Sequence, residues 1–354
     1  MTHAPSSRSD PPRVSVVILN YNGAPWLERC LESIREQSVF DRIEVILADN
    51  CSTDGSDRLA ADLVRDWPNA RFIQHGRNLG YCEGNNRAAL HATGHFLFFL
   101  NNDTWLEPDC LQALLDAVGQ SGAAAAMPLV LNYPDNSFQS LGAAGFDLFG
   151  LASRHAPFDV VREVLMPEGC AYLIDRRLFE SLGKFDPTFF MFADELDLSW
   201  RVWIAGHRAV GVPASRLHHR GAAQVNPKGG ARTAEFRTSD TKRFYANRNA
   251  LLVLLKNCQG LLLLLVPLQI ALLLVEGLAG LIILRRWSFM KNTVLRAVFD
   301  CWNLRAHIAK ERTVIRKFRR RGDVWMLRFF RLRFNRLDEL TRVLRFGLPR
   351  VSER

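Results

Sequence analysis

The sequence predicts an α/β fold: a Rossmann-like, mostly parallel sheet with helices on both faces, followed by a basic helical extension. Three observations lead there. From Val14 onward, short β-branched apolar runs alternate with amphipathic stretches. Those runs are continuously apolar, as strands covered on both faces are. Beyond Asn249 the composition changes, first to a long apolar stretch and then to an arginine-rich one. With 354 residues the chain accommodates one large domain and an appendage. Hydrophobic residues at 48% and charged residues at 23% exclude wholesale disorder and a polytopic membrane protein.

The elements follow in order. Residues 1–12, without an apolar run that could act as a signal peptide, read as a flexible tail, and the domain after them is expected in the cytoplasm. Strands are expected at Val14 to Leu19, Ile43 to Ala48, Arg71 to Gln74 and Phe96 to Leu100. Helical stretches lie between them at Pro25 to Glu36, Asp54 to Asp66 and Gly84 to Ala92. Leu129 to Met166, rich in Gly, Asn and Phe, reads as irregular strands and loops. Gly169 to Ile174 reads as a strand, Asp194 to Arg201 as a helix start, and His207 to Val212 as a last strand before a Pro213 loop. The α/β domain is thus expected over 13–249 and the extension over 250–354.

Two segments of the extension point to a membrane. Gly260 to Leu284 is long enough to cross a bilayer, which needs about 20 apolar residues. Pro267 and Glu276 count against a simple span, so a span, a re-entrant hairpin, an interfacial helix and a buried helix all stay open. Leu327, Phe330, Phe334, Leu337, Leu340 and Leu344 recur at helical spacing among Arg328, Arg331, Arg336 and Arg345, as in a helix lying on an anionic membrane surface. From Arg285 onward there are 20 Lys/Arg against 6 Asp/Glu, so the net charge of +10 belongs to this region. Phenylalanine and leucine interleaved with these arginines favour lipid over nucleic acid, and no nucleic-acid partner is expected. Seven scattered cysteines without a C-x-x-C pair exclude a zinc ribbon and a disulfide framework.

In parallel sheets ligands sit at the carboxyl ends of the strands. That singles out Asn20, Tyr21 and Asn22, then Asp49 and Asn50, Gly76 to Gly80, and Asn101 to Asp103. Asp49 is a strand-end ligand or a turn and cap residue. Asp103 can hold a hard divalent cation, Mg²⁺ or Mn²⁺, which serves where a diphosphate must leave. Asp194, Glu195 and Asp197 either complement a helix dipole or supply a general base. His218 and His219 complete a metal site or are structural.

Read together, VSVVILNYNG, EVILADNCSTDGS, NLGYCEGNN, LFFLNNDTWL, GKFDPTFFMFADELDLSWR and PASRLHH resemble family 2 glycosyltransferases of the GT-A fold. The likeness is greatest to the bacterial rhamnosyltransferases that act on lipid-linked glycans, and it covers about Arg13 to Asn249. It implies an inverting transfer from a nucleotide-diphosphate sugar, dTDP- or UDP-linked, to a lipid-linked acceptor at the cytoplasmic face of the membrane, the chain being peripheral or single-span. It implies that Asn20, Tyr21, Asn22, Asp49, Asn78, Gly80, Gly84, Asn85 and Asn102 bind the nucleotide. Asp103 and His218 fall to the metal, and Asn101, Asp197, Trp200 and Arg201 to the substrate. Asn101 stands where the family has its first metal-side acid. Asp194 and Glu195 exchange the family's usual order, so the base is Glu195 by position, with Asp194 as the alternative. A polyprenyl-phosphate sugar synthase and a non-catalytic nucleotide-sugar-binding module are the other readings. A processive synthase is disfavoured, because Q-x-x-R-W is absent.

Overall fold

A computed structural model describes residues 13–133, 135–221, 237–335 and 350–352. The first half alternates strand β1 (Val14–Asn20), helix α1 (Leu27–Arg35), β2 (Ile43–Asp49), α2 (Ser56–Val64), β3 (Ala70–Gln74), α3 (Gly80–Ala89) and β4 (Phe96–Asn101). Next come β5 (Thr104–Leu106), α4 (Cys110–Ser121), β6 (Ala125–Asn132), β7 (Phe138–Ser140), β8 (Ala143–Phe146), β9 (Ala152–Arg154) and β10 (Arg162–Glu163). β11 (Ala171–Asp175), α5 (Arg176–Ser181), α6 (Asp194–Ile204) and β12 (Ala209–His219) complete the sheet region. The four expected strands of the first half are all present, and the irregular middle resolves into short strands. Helix α3 begins four residues before the expected start, because Gly80 at φ +74° makes the turn into it.

The main sheet runs β10-β12-β6-β11-β4-β1-β2-β3, with β5 against β12 and β7 against β6. β1, β2, β3 and β4 pair in parallel. β11 enters between β4 and β6 and runs antiparallel to both, so the sheet is mixed. Alternate strand residues feed two cores. Val16, Ile18, Val45 and Phe98 pack with Leu31 of α1 and Leu114 of α4. Val17, Ile46 and Phe99 pack on the other face with Cys82 of α3 and Trp200 of α6. The last strand does not stop at Pro213. β12 continues through it, with a register shift between Val212 and Arg216, and carries both histidines as strand residues.

The extension consists of β13 (Arg237–Ser239), α7 (Asp240–Asn257), α8 (Leu265–Leu284), α9 (Trp287–Phe289), a π-helical turn (Met290–Leu295), α10 (Arg296–Asn303), α11 (Arg305–Phe318), α12 (Asp323–Met326) and β14 (Arg350–Ser352). Helix α7 runs unbroken through the boundary expected at 249/250, and its Leu251, Leu252 and Leu254 are buried in the domain's own core. The second expected membrane helix is corrected in its first part. Leu327–Phe329 form a 3₁₀ turn, Phe329 packs 4.7 Å from Trp203, and Arg331 donates its backbone N–H to Phe146 O at 2.8 Å. Arg336, Leu337, Leu340, Leu344 and Arg345 lie outside the described residues.

Candidate active site

Strand register brings the polar strand ends together. Asn20 pairs with Asp49, Asp49 with Gln74, and Leu19 with Asn101. Asp49 is fully buried, and internal donors occupy both of its oxygens: Asn20 Nδ2 at 2.7 Å, Ser52 Oγ at 2.6 Å, Ser52 N at 2.9 Å and Gln74 Nε2 at 3.0 Å. It therefore shapes the loop after β2. Asn20 in turn accepts from Asn102 Nδ2 at 2.7 Å, tying the first loop to the turn that holds Asp103. Asn22, at φ +54°, accepts from Thr53 N at 2.8 Å, while Tyr21 is exposed. Asn78 is exposed and accepts from Asn50 Nδ2 and Gly80 N, both at 2.9 Å. Asn50, singled out at the strand end but given no role by the resemblance, also accepts from Leu79 N at 2.9 Å and so fixes this loop.

Asp103 sits in the tight turn between β4 and β5. The imidazole facing it is His219, whose Nε2 is 3.3 Å from Asp103 Oδ1. His218, the residue expected there, points the other way. It stacks on Trp105 at 5.4 Å and lies 3.4 Å from Glu107. Burial opposes charge on His219, but neighbouring Cys170 and Asp103 carry its pKa well above the ordinary value. Among the described residues no group of three or more His, Cys, Asp or Glu could by itself hold a metal ion. With its proton displaced by the arriving cation, His219 offers a second donor beside Asp103, and the remainder would come from a diphosphate. One carboxylate, one imidazole and phosphate oxygens form a set that Mg²⁺ or Mn²⁺ accepts.

Beside this pair lies Arg220, unassigned from the sequence. It is 8% exposed, its guanidinium lies 3.8 Å from the Trp26 ring, and its Nε has no hydrogen-bond partner among the described residues. A desolvated guanidinium on an aromatic platform suits planar recognition of phosphate.

The third part is the turn into α6. Phe190, Phe192 and Ala193 all have positive φ, at +62°, +68° and +58°, a strained run for residues with a Cβ. Its carbonyls are held from α7: Asn249 Nδ2 lies 2.9 Å from Phe189 O, 2.6 Å from Met191 O and 2.9 Å from Phe192 O. Arg248 donates to Thr188 O at 2.5 Å. The strained turn delivers Asp194 and Glu195 side by side. Burial, then the charge of Glu195, pushes the Asp194 carboxyl well up, and burial also raises Glu195. Two such carboxyls titrate as a pair, and ionising one disfavours ionising the other. Gly169 adjoins Glu195 and Tyr81, and the next carbonyl, Cys170 O, accepts from Asn101 N at 3.0 Å. Thus the carboxyl pair and the Asp103 turn flank the same strand entrance.

Five expected contact residues are corrected by burial. Gly84 packs so closely on Leu19 that a Cβ would approach it to 2.7 Å, and Asn85 donates to Tyr81 O within α3. Trp200 is in the core, and Arg201 bonds Asp197 through Nη2 at 2.6 Å. Asp197 is also bound by Asn257 Nδ2 at 2.8 Å and by Lys256. Gly80 has a packing role too, since a Cβ there would lie 2.4 Å from the Phe190 ring.

Comparisons with known proteins agree with this fold. Residues 15–195 match the sequence model of glycosyl transferase family 2. An N-acetylglucosaminyl-diphospho-decaprenol L-rhamnosyltransferase of Mycobacterium tuberculosis is 30% identical over 235 residues, covering 58% of this chain and 75% of the relative. Among solved structures, mannosyltransferase PcManGT from Pyrobaculum calidifontis, in complex with GDP-Man and Mn²⁺, superposes with a TM-score of 0.52 at 18% identity. That match covers 89% of this chain and 87% of the other. S. aureus TarS 1-349 in complex with UDP gives 0.51 at 14% identity, covering 86% and 88%.

Proposed function

The chain belongs to glycosyl transferase family 2, and from that premise we propose that it moves L-rhamnose from dTDP-rhamnose to a hydroxyl of a polyprenyl-diphosphate-linked glycan. The reaction would belong to cell-wall or surface-polysaccharide synthesis at the cytoplasmic leaflet. Similarity to the decaprenol-linked rhamnosyltransferase supports the sugar and the acceptor class. The observation that carries the reading is the Asp194–Glu195 pair, linked through Gly169 and Cys170 to the strand end that carries the Asp103–His219 contact.

In a single inverting displacement Glu195 takes the proton from the acceptor hydroxyl, whose oxygen attacks the anomeric carbon as the nucleoside diphosphate departs. Asp194 keeps its own proton and orients Glu195. Asp103 and His219 would hold Mg²⁺ or Mn²⁺, which when bound neutralises charge on the leaving diphosphate. Arg220 adds a fixed cation on the same side of the site.

The test is nucleotide release with dTDP-rhamnose, UDP-galactose, UDP-glucose, UDP-N-acetylglucosamine and GDP-mannose, each with a polyprenyl-diphosphate-N-acetylglucosamine acceptor. Release from dTDP-rhamnose alone, dependent on acceptor, is expected. Glu195→Gln should lower turnover by about 10²–10⁴-fold with nucleotide binding retained. Release from a different donor would correct the sugar. Loss of nucleotide binding along with turnover would make Glu195 structural.

A further inference from the structure

Helix α8 has the length and apolarity of a membrane span, but both of its ends are fastened to the same protein body. At its start, Asp323 accepts from Gln259 N at 2.9 Å and from Leu262 N at 2.8 Å. At its end, Arg286 reaches back to Asp240, the first residue of α7, at 3.2 Å. Helix α8, about 30 Å long at 1.5 Å per residue, therefore lies antiparallel along α7. Its inner face is closed by the return segment. A Cβ on Gly277 would meet Met290 Sδ at 2.2 Å, and one on Gly280 would meet the Phe289 ring at 2.4 Å. That return segment is itself bound to α7, with Asn247 Nδ2 donating to Thr293 O at 2.9 Å.

The outer face is apolar and exposed: Leu264 just before α8, and Leu268, Val275, Leu278 and Ile282 on it. A second stripe continues it at helical spacing along the return: Leu295, Phe299 at 65% exposure and Trp302 at 66%. Trp287 stands exposed at the hairpin end, and Arg285, Lys291, Arg296 and Arg305 are exposed around these stripes. Apolar stripes with interfacial tryptophans and a cationic border match a bilayer whose headgroups are anionic. A second copy of the chain would bring like charges face to face, which disfavours a dimer on this surface.

We propose that α8 and α10 form a monotopic foot: the paired helices lie in the plane of one leaflet, with Phe299 and Trp302 inserted, and α8 does not cross the bilayer. This deepens the membrane placement proposed above and rests on it for the biological side of the leaflet only.

The test adds the full-length protein to preformed phosphatidylcholine vesicles containing about one third phosphatidylglycerol, a composition chosen for its negative surface. Cosedimentation is expected, with Trp302→Glu lowering the apparent affinity about tenfold. Calorimetric binding of dTDP or UDP should be the same for Trp302→Glu and the parent, which shows that the fold survives. In Gln259→Cys and Ser288→Cys, flanking α8 at its two ends, both new thiols should react with an impermeant maleimide added outside. Protection of one end alone would mean a span and overturn the proposal. So would equal vesicle binding by parent and Trp302→Glu. A failed sugar-transfer assay bears on the proposed reaction and leaves these readouts untouched.

Discussion

Replacing Lys256 with methionine probes the joint between the domain and α7. The ammonium is fully buried, 2.5 Å from Asp186 and 3.2 Å from Asp197. Arg201 holds Asp197 from the other side at 2.6 Å, so two cations face two buried carboxylates. Methionine keeps the volume and deletes one cation, leaving Asp186 with His307, 2.9 Å away, as its only basic partner among the described residues. Uncompensated buried charge of this kind costs about 3–5 kcal/mol. At about 2–4 °C per kcal/mol, scanning calorimetry should find Tm lower by about 10 °C. The sign with pH is fixed. Burial would raise the Asp186 carboxyl, but Lys256 and then His307 hold it well below its ordinary value. Its stabilisation is thus present above the unfolded pKa of about 3.9 and fades as pH falls toward the folded value. The gap between parent and variant should accordingly hold from pH 7 to about pH 5 and shrink only as the pH falls below about 4. Adding Asp186→Asn should recover more than half of the loss. A Tm change under about 2 °C, or simple additivity in the double variant, would refute the argument.

Two further outcomes follow from the site. Asn249→Ala removes the amide that binds three carbonyls of the strained turn; kcat should fall about tenfold or more with a smaller change in donor KM, and a fall in KM affinity alone would contradict this. Arg220→Gln should weaken pyrophosphate and dTDP binding in calorimetry by about tenfold, as for loss of one charge-assisted contact, while Arg220→Lys recovers part of it. Equal affinity in all three proteins would exclude a contact between Arg220 and phosphate.

The first four strands and their polar ends were legible because continuous apolar runs are punctuated by Asn, Asp and Gly at each strand end. The direction of β11 was not. Ala171, Tyr172, Leu173 and Ile174 are buried on both faces, and that pattern is the same for either direction. The choice between His218 and His219 depends on strand parity, and the register shift after Val212 moves the parity out of reach of a residue count. The acidic cluster Asp194, Glu195 and Asp197 looked like one site. The helical repeat separates it, because Asp197 and Arg201 stand four apart and pair inward. A signal for α7 did exist: Arg248, Asn249, Lys256 and Asn257 flank the apolar run of residues 250–255, and polar groups buried beside it must find partners.

Polar residues such as these, with Asn247, make α7 common property. Its Arg248 and Asn249 hold the turn that presents Glu195, while its Asn247 holds the segment that closes α8. A division of the chain at the onset of hydrophobicity would leave the chemistry without its scaffold. Nor could the apolar-faced helices be exchanged for another element, as a tether can, since part of their seat is also the seat of the turn that presents Glu195. On the proposed reading, attachment and catalysis are inherited together, and a change that retunes one is written, through a single helix, into the other.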